Sequence, residues 1–134
     1  MRLTQSQYVK IVGHCYDGLP DEACGLLLGP LNSERITAVR PCRNADASAR
    51  TYTVDPKDML AAMRAAEAAG VEIVGVWHSH THTAAYPSPT DVRQAVDPSW
   101  FYVIVGFAGG APVLHAYRIR DGTIHEVMVE LDRG

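Results

Sequence analysis

The stretch Val71–Asp91, VEIVGVWHSHTHTAAYPSPTD, determines how this chain folds. Its first part, Val71–Trp77, is apolar without clear alternation and predicts a strand that is buried on both faces in the middle of a sheet. The polar and small residues of His78–Pro87 predict a loop. The tetrapeptide at 88–91, SPTD, is typical of a helix capping box with proline at the first helical position, so a short helix should reach about Val96.

Two longer helices are predicted on the N-terminal side of this stretch. Apolar residues recur at helical spacing over residues 4–17, and Gly18 ends that helix. Asp55 and Pro56 form an N-cap and a first helical position, and the alanine-rich helix that they open should run to Gly70. Its buried stripe is predicted to consist of Met59, Leu60, Met63 and Ala66.

Short apolar runs elsewhere in the chain predict the remaining strands. Asp121-Gly122 is a favoured two-residue hairpin turn between two of them, and Pro41–Arg50 is predicted as a loop. The predicted strands are Ala23–Leu28, Arg35–Arg40, Thr51–Val54, Phe101–Phe107, Val113–Arg120 and Thr123–Glu130. The pattern predicts one α/β domain over residues 1–134, with a mixed β-sheet of about six strands flanked by two long helices and one short helix.

The size and charge of the chain exclude several classes of protein. A chain of 134 residues has the size of one domain and is too short for a TIM barrel. A formal net charge of -3 argues against a nucleic-acid partner. The apolar runs have the length of strands, so we expect no membrane contact, and the N-terminus has no signal-peptide pattern. The three cysteines include no C-x-x-C pair, which favours reduced thiols and a cytoplasmic location.

Three of the six histidines lie in the segment HSHTH at positions 78–82. On an extended backbone, side chains two positions apart point the same way. His78 and His80 should therefore project together from the end of the predicted strand and offer two imidazole ligands for Zn²⁺. His82 would join them only if the strand continued, so it is interpreted as a surface residue or as part of the lining of a substrate groove.

A catalytic zinc site needs a third protein ligand and a general base. Asp91 is the candidate ligand because the loop before it could fold it back to the histidines, and Ser88 could donate to an oxyanion in the same pocket. Glu22 is the candidate base, since it precedes the strand Ala23–Leu28, which could pair beside Val71–Trp77. The alternatives are that Ser88 and Asp91 form only a capping box and that Glu22 is a solvated turn residue.

Glu22 with the following ACGLLLG, and the spacing His78-x-His80-x7-Ser88-x2-Asp91, resemble the signature of the JAMM (MPN+) zinc metalloproteases. The resemblance extends along the whole chain, and the string AYPS at 85–88 is similar to the bacterial branch of CysO-cysteine peptidases. It implies a cytidine-deaminase-like JAB/MPN fold and one Zn²⁺ per chain held by His78, His80 and Asp91. It also implies that Glu22 is the catalytic acid/base and that Ser88 stabilises the transition state.

The resemblance also implies a substrate. Members of the family hydrolyse the bond after the C-terminal glycine of ubiquitin or a ubiquitin-like protein, and the bacterial branch releases cysteine from a ubiquitin-like sulfur carrier. The expected partner is therefore a small sulfur carrier protein with a C-terminal Gly-Gly tail, and a homodimer is possible. A deubiquitinase-like isopeptidase and a non-catalytic MPN scaffold stay open as alternatives. The chain departs from the eukaryotic deubiquitinases at Thr81, where they usually have proline, and it has no room for their long insertions, which argues against specificity for polyubiquitin.

Overall fold

In the computed structural model, which describes all 134 residues, the chain forms three helices and eight strands. The helices are α1 (Gln5–Gly18), α2 (Pro56–Ala69) and α3 (Pro89–Gln94). The strands are β1 (Arg2–Thr4), β2 (Cys24–Gly29), β3 (Ala38–Cys42), β4 (Glu72–His80), β5 (Phe101–Gly106), β6 (Val113–Arg120), β7 (Thr123–Val127) and β8 (Glu130–Asp132). None of the three helices is long and apolar enough to cross a membrane.

Six of the strands form one mixed sheet in the order β3-β2-β4-β5-β6-β7. The pair β4–β5 is parallel, and the other neighbouring pairs are antiparallel. Every residue of β2 and β5 is buried, as is every residue of β4 from Val74 onward. This confirms the predicted α/β fold, with its six-stranded mixed sheet, two long helices and one short helix, and it confirms that β4 lies inside the sheet.

The two long helices pack on opposite faces of the sheet. Successive side chains of a strand point to opposite faces, so neighbouring residues of β2 and β4 join different apolar clusters. The cluster that includes α1 contains Ile11, Cys15, Leu27 and Trp77. The cluster that includes α2 contains Ala62, Ala66, Leu26 and Val76. The sheet is thus covered on both sides, and its functional groups emerge at strand ends rather than on an open face.

The helix ends agree with the predicted signals. Asp55 accepts hydrogen bonds from the backbone N–H groups of Lys57 and Asp58 and so caps α2. At the other end, Gly70 adopts a left-handed conformation with φ 69°, which residues other than glycine rarely adopt. The predicted buried stripe of α2 is confirmed for Met59 and Ala66, which pack in the core, and wrong for Leu60 and Met63, which are exposed. Ala62, which was not predicted, is buried with Ala66 against the sheet.

Strand β4 is longer than predicted. The predicted loop His78–Pro87 is wrong for its first three residues, because β4 continues through His80 in register with β5. The parallel strand β5 supplies backbone hydrogen bonds to residues 78–80. The polar sequence of these three residues gives no sign of that pairing. His78 and His80 are therefore fixed by the sheet itself, and not by a loop that leaves it.

Two other strand predictions are wrong in position or type. The strand predicted at Arg35–Arg40 lies at Ala38–Cys42, because Ile36 instead donates its backbone N–H to Arg2 O, away from the main sheet. The segment Thr51–Val54 forms only an isolated bridge between Val54 and Asn44. The Asn44 side chain bonds the backbone of residues 51 and 53 and so takes the place of a partner strand.

The last predicted strand, Thr123–Glu130, is divided in two. Strand β7 ends at Val127, and β8 pairs in parallel with β1 in a separate two-stranded sheet. The amino terminus donates to Met128 O at 2.8 Å, which ties the first residue to the segment between β7 and β8. Short strands at the two ends of a chain have no local pattern that would reveal such a pairing.

Candidate metal centre

Two histidines emerge side by side at the end of the central strand. His78 and His80 are two positions apart on β4 and are both buried. Their neighbour β2 is antiparallel, with Cys24 opposite His78, so the chain just before β2 lies beside His80. The side chain of Ser79 accepts a hydrogen bond from the Ala23 N–H at 2.9 Å, which holds these two chain segments together.

Asp91 completes a compact group of three possible ligands. Its carboxylate oxygens lie 3.2 Å from His78 Nε2 and 3.0 Å from His80 Nε2, and the two imidazole nitrogens are 3.1 Å apart. Zinc ligands lie about 2.0–2.1 Å from the ion, so neighbouring donors of a tetrahedral site are separated by roughly 3.3 Å. Two imidazoles and one carboxylate are also a donor set typical of catalytic zinc, with a position left for water or substrate. The three side chains therefore fit a metal ion.

The ring of His80 is oriented by the loop that follows β4. Its Nδ1 lies 2.9 Å from Ala84 O, and since a carbonyl only accepts, Nδ1 must carry the hydrogen. In the neutral ring this leaves the Nε2 lone pair free, and Nε2 is the atom that faces Asp91 and His78. A backbone carbonyl behind a metal-binding histidine is a common way of fixing its tautomer.

The carboxylate of Asp91 is held as an anion. Burial opposes its ionisation, but the hydrogen bonds from His78 and His80 hold the pKa of Asp91 well below its usual range. Burial lowers the pKa of His78, whereas for His80 the bonds with Asp91 and Ala84 outweigh burial and raise the pKa. The group thus combines a stable negative charge on Asp91 with a His78 imidazole whose burial favours its neutral form.

Ser88 and Asp91 form the capping box predicted for α3. The Asp91 N–H donates to Ser88 Oγ at 3.1 Å, and the Ser88 N–H donates to Asp91 Oδ2 at 2.9 Å. The same Oδ2 faces His80, so one carboxylate both caps the helix and joins the histidines. The Ser88 hydroxyl uses only its oxygen in the cap, which leaves its O–H free to donate into the cavity that Ser88 lines.

Glu22 faces the same cavity from the start of β2 and is not a solvated turn residue, because it is only 7% exposed. Its backbone N–H donates to Ser48 O at 2.8 Å, and its carbonyl accepts from Asn44 Nδ2 at 3.0 Å. Burial raises the pKa of Glu22 to about 7; His80 lowers it, and Asp91 raises it further. A carboxyl group with a pKa near neutrality is suited to accept and return a proton.

The structure adds Tyr52, which the sequence analysis had placed in a strand. Its ring stacks on His78, with centroids 4.3 Å apart and planes inclined by 18°. Tyr52 and Arg50 belong to an irregular segment that lines the cavity, and no local pattern pointed to either residue as part of a site. Only the long-range packing of residues 44–54 against β2 and β4 brings them to the site.

The other candidate residues have separate positions. His82 is exposed at the rim of the cavity, which has a volume of about 460 Å³. Cys24 is fully buried in the apolar cluster under α2, as a small hydrophobic residue would be. His14 lies on α1, where it stacks on Trp77 and faces two backbone carbonyls.

Comparison with known proteins gives the family. A family model described as prokaryotic homologs of the JAB domain matches residues 4–120. The chain belongs to this family. This JAB domain is 41% identical over 122 residues to the CysO-cysteine peptidase of Mycobacterium tuberculosis, a match that covers 90% of this chain and 84% of that protein.

Two further similarities extend this result. The JAB domain is 35% identical over 100 residues to the desampylase of Haloferax volcanii, covering 71% of this chain and 72% of the relative. The solution structure of a protein from Desulfitobacterium hafniense has a TM-score of 0.88 and 33% identity, covering 99% of this chain and 93% of that one. The resemblance to JAMM proteases and to CysO-cysteine peptidases is thereby confirmed, and the chain is a hydrolase of the JAMM type.

Proposed function

We propose that this JAB domain is a zinc peptidase that hydrolyses the bond after the C-terminal glycine of a ubiquitin-like sulfur carrier protein and releases cysteine. The observation that carries the proposal is the convergence of His78, His80 and Asp91 at 3.0–3.2 Å, beside a buried Glu22 in the same cavity. The similarity to a CysO-cysteine peptidase supports the choice of substrate.

In the proposed mechanism, His78, His80 and Asp91 hold one zinc ion. A bound zinc would acidify a water molecule to a pKa near 7 and polarise the scissile carbonyl. Glu22 takes the proton of the attacking water and passes it to the leaving amine. Its raised pKa suits it both to accept and to donate this proton near neutral pH. The Ser88 hydroxyl donates to the carbonyl oxygen as negative charge develops there.

The proposal also covers the extent of the domain and its location. Strand β8 pairs with β1, so residues from both ends of the chain join one fold, and the proposed metallopeptidase domain spans residues 1–134. The cysteines Cys15, Cys24 and Cys42 are free and buried, which is consistent with a reducing compartment such as the cytoplasm.

A second candidate is an isopeptidase that separates ubiquitin-like proteins from other proteins. It is favoured by the 35% identity to a desampylase. The two candidates share the same metal ligands and the same glycyl carbonyl, and they differ in the leaving group. That group is the α-amine of a free amino acid in the first case and the side-chain amine of a protein lysine in the second.

The deciding experiment presents both leaving groups to the zinc-loaded protein. A ubiquitin-like carrier ending Gly-Gly-Cys should lose the mass of one cysteine, as measured by mass spectrometry, and Glu22→Gln should abolish that loss. A carrier joined through its terminal glycine to a lysine side chain should be cleaved much more slowly. Faster cleavage of the lysine conjugate would favour the isopeptidase, and cleavage of neither substrate would contradict both candidates.

A further inference from the structure

One cation in the catalytic cavity has no partner. Arg50 is the only lysine or arginine that lines this cavity, and its guanidinium takes part in none of the ion pairs or side-chain hydrogen bonds of the structure. The other charged groups of the cavity are accounted for, since Asp91 faces the histidines and Glu22 is buried. Arg50 is exposed where it lines the cavity, so its unpaired guanidinium is available for an anionic ligand there.

The backbone around Arg50 is held in place on both sides. Just before it, Ser48 O accepts from the Glu22 N–H at 2.8 Å, and Ala49 O accepts from Thr81 Oγ1 at 3.2 Å. Just after it, Thr51 O accepts from Asn44 Nδ2 at 2.9 Å, and Tyr52 stacks on His78. The backbone of Arg50 is therefore fixed two residues from Ser48, which contacts the proposed base Glu22, and two residues from Tyr52, which contacts the proposed ligand His78. Consecutive Cα atoms are only about 3.8 Å apart, so Arg50 stays close to both contacts.

The two possible leaving groups differ in whether a carboxylate lies next to the leaving nitrogen. In a carrier that ends with a single added amino acid, a free α-carboxylate sits on the carbon next to the leaving nitrogen. In an isopeptide conjugate, the leaving nitrogen ends a flexible methylene chain and no carboxylate is adjacent to it. A cation at the rim of the site therefore distinguishes the two substrates, and arginine binds a carboxylate with two parallel hydrogen bonds.

We propose that Arg50 binds the α-carboxylate of the amino acid that is released, and so makes the site specific for carriers bearing one C-terminal amino acid. This inference rests on the proposed peptidase function and adds a specificity-determining residue to it. Arg50 takes no part in bond cleavage; it holds the terminal residue so that the preceding glycyl carbonyl reaches the reacting groups. The uncharged carboxamide of the same substrate would lose that contact.

A binding experiment tests this assignment without turnover. In the zinc-loaded Glu22→Gln background, calorimetry would compare a carrier ending Gly-Gly-Cys as the free acid with the same carrier as the C-terminal carboxamide. The acid should bind about ten- to hundredfold more tightly, as expected for a charged hydrogen-bonded pair. Adding Arg50→Ala should remove the difference, and Arg50→Lys should restore part of it. Arg64→Ala, which removes an exposed arginine on α2, is the matched control and should keep the full difference.

Hydrolysis by the otherwise unchanged enzyme gives the second readout. Arg50→Ala should lower kcat/KM about ten- to hundredfold for the acid and leave the carboxamide nearly unaffected. Equal treatment of acid and carboxamide by the unchanged enzyme would overturn the inference and leave the peptidase function standing. An equal loss on both substrates in Arg50→Ala would overturn it too, since Arg50 would then contact the body of the carrier. Hydrolysis of neither substrate would instead contradict the proposed function itself.

Discussion

At the scale of single residues, the burial of Glu22 makes its ionised form destabilising for the fold. Burial raises its pKa to about 7 from an ordinary value of 4.5, so the folded protein holds a proton that the unfolded chain releases. The stabilising contribution of the protonated form is complete below the ordinary pKa and is lost as the pH rises through about 7. Glutamine has the same shape but cannot ionise, so it should escape this loss.

We therefore predict that Glu22→Gln stabilises the metal-free protein at alkaline pH while abolishing hydrolysis. At pH 8 the variant should be more stable by about 1–3 kcal/mol, and the difference should shrink toward pH 5. Urea unfolding with chelator present, repeated across this pH range, measures it. Glu67→Gln, on the exposed side of α2, is the matched control for the substitution itself. A stability difference that is the same at pH 5 and pH 8 would contradict the prediction.

Tyr52 is the second residue whose role can be separated from general packing. Its ring covers one face of His78, so Tyr52→Ala should expose that imidazole and let it rotate. Zinc affinity should fall about 10–100-fold, the usual effect of removing a group that orients a ligand, whereas Tyr52→Phe should stay within about threefold. Competition with a chromophoric chelator measures both variants. Equal affinities for the alanine and phenylalanine variants would show that the stacked ring does not orient His78.

At the scale of secondary-structure elements, α3 combines two functions in one turn. Ser88 caps the helix through its oxygen and is the proposed donor to the transition state through its hydrogen. Glycine at an N-cap costs only a few tenths of a kcal/mol, whereas alanine costs about 1 kcal/mol. The pair Ser88→Gly and Ser88→Ala therefore separates the helix cap from the hydroxyl.

We predict that both variants lose activity about 10²–10³-fold, although only Ser88→Ala loses about 1 kcal/mol of stability. The measurements are kcat on the cysteine adduct and the free energy of unfolding of the same preparations. Ser88→Thr, which keeps a hydroxyl at the cap, should retain more activity than either variant. If Ser88→Gly keeps nearly full activity, the hydroxyl serves the helix alone.

The elements also explain how far the sequence could predict the site. The spacing of His78 and His80 on one strand, and the capping pattern at Ser88 and Asp91, are local signals, and the structure brings these four side chains together. The capping box at Asp91 is confirmed, and the same Oδ2 that accepts from Ser88 also faces His80, so the cap is compatible with the proposed role as a metal ligand. A local pattern describes one helix or strand at a time. These four residues could be predicted because their signals lie within one strand or at the start of one helix.

What the sequence did not reveal depends on distant contacts. Residues 44–54 form neither a helix nor a named strand, although Thr51–Val54 was predicted as a strand; the Asn44 side chain bonds the backbone of Thr51 and Thr53 instead. Tyr52 and Arg50 reach the cavity through that irregular segment. The extension of β4 to His80 likewise depends on β5, more than twenty residues further along the chain. Pairing between distant segments leaves little trace in the local pattern of either one.

At the scale of the whole molecule, the proposed metal would connect the central strand of the sheet to α3. His78 and His80 lie on the central strand, and Asp91 lies on α3 beyond a loop of polar and small residues. The unfolded chain cannot hold the three side chains together, so an ion that binds them stabilises only the folded state. Metal binding should therefore appear as a rise in the unfolding temperature.

Zinc at about 100 times its dissociation constant adds about 2.7 kcal/mol to the stability, which for a domain of this size corresponds to a rise in Tm of roughly 10 °C. Scanning calorimetry of the chelator-treated protein with increasing zinc should show a Tm that rises with the logarithm of the free zinc concentration, and metal analysis should give one ion per chain. Magnesium, which prefers oxygen ligands in an octahedral site, should leave the Tm unchanged. Asp91→Asn keeps an oxygen for the Ser88 cap but loses the anion that His78 and His80 stabilise, so its metal-free Tm should be lower than that of the unchanged protein, and zinc should raise it far less. A zinc-dependent rise of equal size in Asp91→Asn would place the ion elsewhere in the molecule.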